Sequence, residues 1–153
     1  MKAPSANSTS AFRPATRQDW PAIRVLLRSA NLPLDGAEAH LATFLVATAD
    51  ETVVGCVGIE RHADAALLRS CAVADDCRRQ GLGHELVRRA IALARSLGIR
   101  ELVLLTTTAE TYFPRFGFAP AARDAVSDSL KSSPEFSGAC PASARVMQLT
   151  LAD

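Results

Sequence analysis

The sequence predicts one α/β (α+β) domain, built on a single mixed, mostly antiparallel sheet flanked by helices. Three observations carry this. The run "TFLVATADETVVGCVGIERHADAALLRSCAV" (residues 43–73) is strand-rich and broken only at Ala49-Asp50-Glu51 and His62-Ala63-Asp64. It therefore reads as a meander of strands and tight turns. Leu82, Leu86, Ile91, Leu93, Ala94 and Leu97 recur at helical spacing, and Gly98 follows as a helix stop. "ELVLLT" (residues 101–106) is a short continuous apolar run, as in a strand covered on both faces.

The other elements fall in order around these. Residues 1–10 are small and polar and read as a disordered N-terminus, leaving a domain over residues 11–153. "AFRPA" opens a strand, and Thr16 is a candidate N-cap. Trp20, Ile23, Leu26 and Leu27 then mark an amphipathic helix that Pro33 should stop. "DGAEAHL" suggests a second, short helix. Beyond "ELVLLT", the segment "AETYFPRF" suggests another short helix interrupted by Pro114, and "GFAPA" and "ARVMQLTLA" read as closing strands. An exposed sheet edge near the C-terminus would support a homodimer.

Composition narrows the function. Seventeen Lys and Arg against sixteen Asp and Glu give a formal net charge of +1. No bulk field would recruit nucleic acid or an acidic membrane, so any anion binding must be local. No apolar run approaches the ~20 residues of a membrane span, and "MKAPSANSTS" lacks the apolar core of a secretory signal. A cytoplasmic protein is expected. The cysteines, Cys56, Cys71, Cys77 and Cys140, form no C-x-x-C pair, and a disulfide framework is not expected in a reducing compartment. Cys56, Cys71 and Cys77 read as small buried thiols, whereas Cys140 lies in the loop-like "FSGACPAS".

The most informative stretch is "CAVADDCRRQGLGHEL", residues 71–86. A strand ends near Val73 and a helix begins near Leu82. The first turn of a helix has amide groups without internal partners and a partial positive charge. Gly81 and Gly83 leave those amides uncovered, and Arg78 and Arg79 add charged donors. The result is an anion cradle suited to a pyrophosphate. A P-loop would need Lys and Ser/Thr where His84 and Glu85 stand, and a dinucleotide fingerprint would need glycine at Leu86. Both fail on spacing.

"VADDCRRQGLGHELVRRAIALARSLGI" resembles the acetyl-CoA-binding motif of the GNAT superfamily of N-acetyltransferases, with Arg78, Gly81 and Gly83 meeting its Q/R-x-x-G-x-G/A pattern. The strand before it and "YFPRFGF" after it extend the resemblance over residues 12 to about 120. The resemblance implies a GNAT-like domain that holds acetyl-CoA where the central strands splay apart. The pyrophosphate would sit on residues 79–84, among them Gln80, Leu82 and His84. The pantetheine arm would pair with the backbone of Cys71, Ala72 and Val73, as a strand adds to an open edge. The Val73 amide would face the acetyl oxygen as an oxyanion donor.

Many members of the superfamily protonate the leaving thiolate with a tyrosine, and this sequence has Phe113 at that position. Tyr112, one residue earlier, is the candidate replacement, and unassisted departure of the thiolate is the alternative. On the preceding strand, simple alternation puts Arg69, Cys71 and Val73 on one face. Arg69 then either clamps a substrate carboxylate or pairs with Glu60 on the neighbouring strand. Glu60 is also a candidate general base, directly or through a water, and Ser70 a candidate hydrogen-bond donor to thioester or substrate. Thr106, Thr107 and Thr108 end a strand where sheets open for ligands, and Thr107 is placed among the coenzyme contacts. No metal is expected.

Within the superfamily, "LLRSCAV", "LLTTTAETYF" and "EFSGACPASA" resemble the small acetyltransferases of arsenic-resistance operons. That resemblance implies a small amine as acceptor, such as an amino-acid-like arsenical or phosphinic antibiotic, with Arg69, Ser70 and Cys140 at the substrate. Acetylation of a protein N-terminus or lysine, and a non-catalytic coenzyme A sensor, are the competing readings.

Overall fold

The computed structural model describes residues 10–139 and 143–151, and leaves the side chains of residues 78, 79, 137 and 139 undescribed. Cys140 and residues 1–9 therefore lie outside the described residues, as do the side chains of Arg78 and Arg79. Among the described residues seven strands form one sheet: β1 (Ser10–Pro14), β2 (Phe44–Ala49), β3 (Thr52–His62), β4 (Ala65–Val73), β5 (Glu101–Thr106), β6 (Ala119–Ala121) and β7 (Arg145–Thr150). Their spatial order is β1-β2-β3-β4-β5-β7-β6, and β4 with β5 is the parallel pair. Among the described residues two α-helices, α1 (Trp20–Ser29) and α2 (Leu82–Ser96), cover opposite faces. No helix among the described residues is long and apolar enough to cross a membrane.

Local chemistry explains the elements. Asp19 accepts hydrogen bonds from the Thr16 amide and from Arg13, which fixes a 3-10 turn at Arg17–Asp19 ahead of α1. Ile23, Leu26 and Leu27 bury the inner face of α1. The helix ends before Pro33, because Asn31 adopts a left-handed conformation and the Leu32 amide bonds back to Leu27. Helix α2 buries Leu82, Leu86, Val87, Ala90, Ile91 and Ala94 against the sheet. Its end is sealed by left-handed Gly98, with the Ile99 amide returning to Ala94. The two short helices expected from sequence are 3-10 turns, Glu38–Thr43 and Phe113–Phe116.

One close approach constrains the middle of the sheet. A Cβ on Gly58 would lie 2.2 Å from the ring of Phe44, a residue with no exposed surface. Gly58→Ala should therefore lower stability by about 2 kcal/mol through overpacking. Urea denaturation followed by circular dichroism checks this, and an unchanged midpoint would show that the Phe44 ring moves aside without cost.

Two irregularities open the sheet. Strands β4 and β5 pair over three positions, Ala65↔Glu101 to Leu67↔Val103, while β5 pairs with β7 along all of Glu101–Thr106. Beyond Leu67 the two parallel strands therefore part. On the other side of β4, Cys56 pairs with Ala72 but Gly58 pairs with Arg69. Three steps on β4 match two on β3, and Ser70 takes a φ of 60° at the extra residue. This is a β-bulge.

Candidate active site

The bulge corrects the simple alternation. Arg69 stays with Leu67 on the face covered by α1 and by residues 123–139, where it meets Pro33 and Glu135. Cys71 and Val73 turn to the other face and pack with the cluster around α2. An extra residue inverts the side-chain parity of everything after it, so Arg69 and Cys71 do not share a face.

A cavity of about 650 Å³ occupies the gap between β4 and β5. Its walls include Cys71, Ala72, Val73, Gly81, Gly83 and His84 near α2, and Arg69, Ser70, Glu135 and Pro33 near α1. Leu104, Thr106, Tyr112 and Phe113 complete it. The cavity thus connects the two sides of the sheet through the splay.

At the α2 end, the first intrahelical bond runs from the Glu85 amide to the Gly81 carbonyl. The amides of residues 82–84 precede it, outside the helical ladder. Gly81 has a φ of 76°, and a Cβ there would meet nothing within 4 Å. A Cβ on Gly83 would meet the Val73 side chain at an ordinary 3.7 Å. The turn is thus open to an approaching group. The side chain of Leu82 is buried in the core, so only its backbone faces the turn, and Gln80 is exposed. His84 stacks on Phe116 at 4.8 Å between ring centroids.

In the middle, Phe113 is nearly buried and packs edge-on against Phe118. Tyr112 lines the cavity beside it, with the Arg115 guanidinium 4.2 Å over its ring. Burial and the nearby Cys71 sulfur raise the Tyr112 pKa, so its phenol keeps its proton. Burial pushes the Cys71 thiol up to about 11, which leaves it a poor nucleophile at neutral pH. Thr106 accepts hydrogen bonds from the Ala109 and Thr108 amides and so caps the turn after β5. Thr106 and Thr108 line the cavity, whereas Thr107 is exposed and outside its lining.

At the α1 end lies a buried polar cluster. Arg69 donates from Nη1 to Glu60 at 2.5 Å and from Nε to the Ser70 hydroxyl at 3.1 Å. Its Nη2 makes longer contacts, 3.4 Å to the Pro33 carbonyl and 3.3 Å to Glu135. Glu60 has no exposed surface, and His62 Nε2 lies 2.7 Å from its second oxygen. Burial pushes the Glu60 carboxyl up, but hydrogen bonds from Ser133, His62 and Arg69 outweigh that and hold it below the ordinary carboxylate range. Glu60 lies behind Arg69, outside the cavity lining. From there it is placed to hold Arg69 rather than to reach a substrate directly.

Of the residues singled out by sequence, the structure brings together Arg69, Ser70, Cys71, Ala72, Val73, Gly81, Gly83, His84, Tyr112 and Phe113 around one cavity. Sequence reasoning missed Glu135, Arg115 and the Ala30–Pro33 wall. Arg115 sits inside "YFPRF" and could have been noticed there, but Glu135 carries no local signal. No group of three or more metal-ligating side chains occurs among the described residues.

Residues 9–118 match the Acetyltransferase (GNAT) family. The chain belongs to that family. An amino-acid acetyltransferase of Azotobacter vinelandii is 35% identical over 86 residues, covering 55% of this chain and 20% of that enzyme. The chain thus matches about a fifth of that relative's length. Among solved structures, N-acetylglutamate synthase of Neisseria gonorrhoeae, complexed with coenzyme A and N-acetylglutamate, superposes with a TM-score of 0.81. The identity is 23%, over 97% of this GNAT chain and 37% of that one. A Mycobacterium tuberculosis protein in complex with CoA and NLQ gives a TM-score of 0.79 at 24% identity, over 93% and 99% of the two chains. At those identities the superpositions establish the fold.

Proposed function

We propose that the chain is an acetyl-CoA-dependent N-acetyltransferase acting on a small amine in the cytoplasm. The supporting observation is the cavity itself, which joins an open helix N-terminus on one face of the sheet to the Arg69 cluster on the other. Coenzyme A and acceptor would approach from opposite faces and meet in the splay. The pyrophosphate would lie on the amides of residues 79–84, with Arg78 and Arg79 supplying charge. The pantetheine would run along β4 at Cys71, Ala72 and Val73, where β5 has diverged. Thr106 and Thr108 are nearer to that path than Thr107, and Phe113 would form an apolar wall.

Attack of the neutral amine on the thioester carbon forms the C–N bond and then breaks the C–S bond. The amine nitrogen sheds protons, and the departing thiolate takes one up. Overall, ammonium and thioester give amide, thiol and one released proton. Ser70 would donate to the thioester or acceptor, and Tyr112 would protonate the thiolate. Tyr112→Phe should cut kcat about 100-fold with little change in the KM for acetyl-CoA, at the low end of the usual range for a lost general acid. Steady-state kinetics check this, and an unchanged kcat would mean that the thiolate leaves unassisted.

The resemblance to arsenic-resistance acetyltransferases adds a narrower proposal: the acceptor is an amino-acid-like arsenical or phosphinic compound. The packed segment 123–139 on the sheet favours a small acceptor over a peptide lying in an open groove. The deciding experiment incubates the protein with acetyl-CoA and a panel of amino acids, simple amines, peptides, and arsenical and phosphinic amino acids, with mass spectra of the products. An acetylated small amine supports the proposal. Acetylation of peptides alone would favour a protein acceptor, and coenzyme A binding without any product would favour a sensor.

A further inference from the structure

The buried cluster at the α1 end holds two carboxylates against one guanidinium. Glu60 grips Nη1 of Arg69 closely, while Glu135 shares the Nη2 edge at 3.3 Å. Glu135 is 5% exposed and Arg69 is 3% exposed, yet both line the cavity. Buried charges are costly unless compensated, and Glu60 is already shared between Arg69 and His62. That edge offers a carboxylate and a guanidinium side by side, held at a distance longer than a tight charged hydrogen bond. An α-amino acid has the complementary pair, an ammonium and a carboxylate on one carbon.

Building on the acetyltransferase reading above, we propose that Glu135 anchors the acceptor's ammonium while the Nη2 edge of Arg69 takes its carboxylate, so that the site selects α-amino acids over simple amines. The zwitterion inserts between Arg69 and Glu135 and replaces their long contact with two short ones. Glu60 and Ser70 keep the guanidinium in place as it does so. The amino group is then held at the cavity wall facing the thioester, and it gives up a proton before it attacks. Glu135 arrives on Glu135–Ala139, outside every strand, and Leu130, fully buried over β4, secures the segment that carries it.

The test compares each accepted L-amino acid with its decarboxylated amine on the wild-type chain, and adds Glu135→Gln and Glu135→Asp. Coenzyme A binding is measured separately by calorimetry. The decarboxylated amines should show kcat/KM lower by about 100-fold, the penalty of leaving a buried charged group unpaired. Glu135→Gln should raise the KM for the amino acid about 30-fold and leave the KM for acetyl-CoA within about twofold, with partial recovery in Glu135→Asp. Equal turnover of amines and amino acids by the wild-type chain would overturn the proposal without any variant, and so would an unchanged amino-acid KM in Glu135→Gln. Absence of coenzyme A binding by the wild-type chain would instead overturn the acetyltransferase reading on which it rests.

Discussion

Gly83→Asp should lower coenzyme A affinity by about a thousandfold while leaving the fold intact, a pairing that follows from charge at a helix N-terminus. The fold has room for the side chain, since a Cβ at this position meets only Val73 at van der Waals distance. Position 83 lies in the first turn of α2, where a carboxylate interacts favourably with unpaired amides. Thermal stability should thus hold or rise by about 0.5 kcal/mol. The same carboxylate occupies the place proposed for the pyrophosphate and repels it. Calorimetry with coenzyme A and a thermal melt on the same sample check both halves. Retained affinity would remove the pyrophosphate from this turn, whatever the melting temperature does. Arginine substitutions nearby would be less decisive, because loss of a cation weakens any anion, wherever it sits.

The open glycine turn ahead of α2 was legible in the sequence because its information is local. Strand, glycines and helix follow each other within "CAVADDCRRQGLGHEL", and backbone geometry over a few residues decides what such a turn can hold. The meander, both main helices and the apolar strand β5 were legible for the same reason, since period and turn chemistry identify them. The Arg69 end of the cavity was not. Its form depends on the extra residue at Ser70, which nothing in "LLRSCAV" announces. A bulge is settled by how β3 and β4 register, including the glycine at position 58 that lets Phe44 close over the sheet. Alternation therefore put Arg69 beside Cys71, when the two face opposite sides. Glu135 was invisible for a related reason. It reaches Arg69 across 66 positions of chain, from a segment with no regular period, and only tertiary packing joins them.

Glu60→Gln should destabilise the chain by about 3 kcal/mol at neutral pH, because removing one partner of a buried ion pair leaves the other charge undercompensated. Such a loss is a large fraction of a typical domain's stability, about 5–15 kcal/mol. The effect should depend on pH in a defined direction. Hydrogen bonds from Ser133, His62 and Arg69 outweigh burial and lower the folded-state pKa of Glu60 below its ordinary 4.5. A carboxyl with a depressed folded pKa contributes stability that is full above its unfolded value and is lost as pH falls through the folded value. The gap between wild type and Glu60→Gln should therefore be widest at neutral pH and should close below pH 4.5. Asp19, held down to about 2 chiefly by its hydrogen bond from Arg13, also titrates in acid, but equally in both proteins, so it cancels from the difference. Urea unfolding of both proteins at several pH values gives the curve, and a gap independent of pH would show that the carboxylate charge is not what stabilises the pair. Kinetics separate the two roles that sequence left open for this residue. A positioning role, acting through Arg69, predicts a raised KM for the acceptor with kcat changed little. A general base predicts a collapse of kcat, because no carboxylate would remain to take the proton. The distance of 2.5 Å to Arg69 and the place of Glu60 outside the cavity lining favour the first outcome. A double-mutant cycle with Arg69→Gln should return a coupling of about 2 kcal/mol, typical of residues in one buried network.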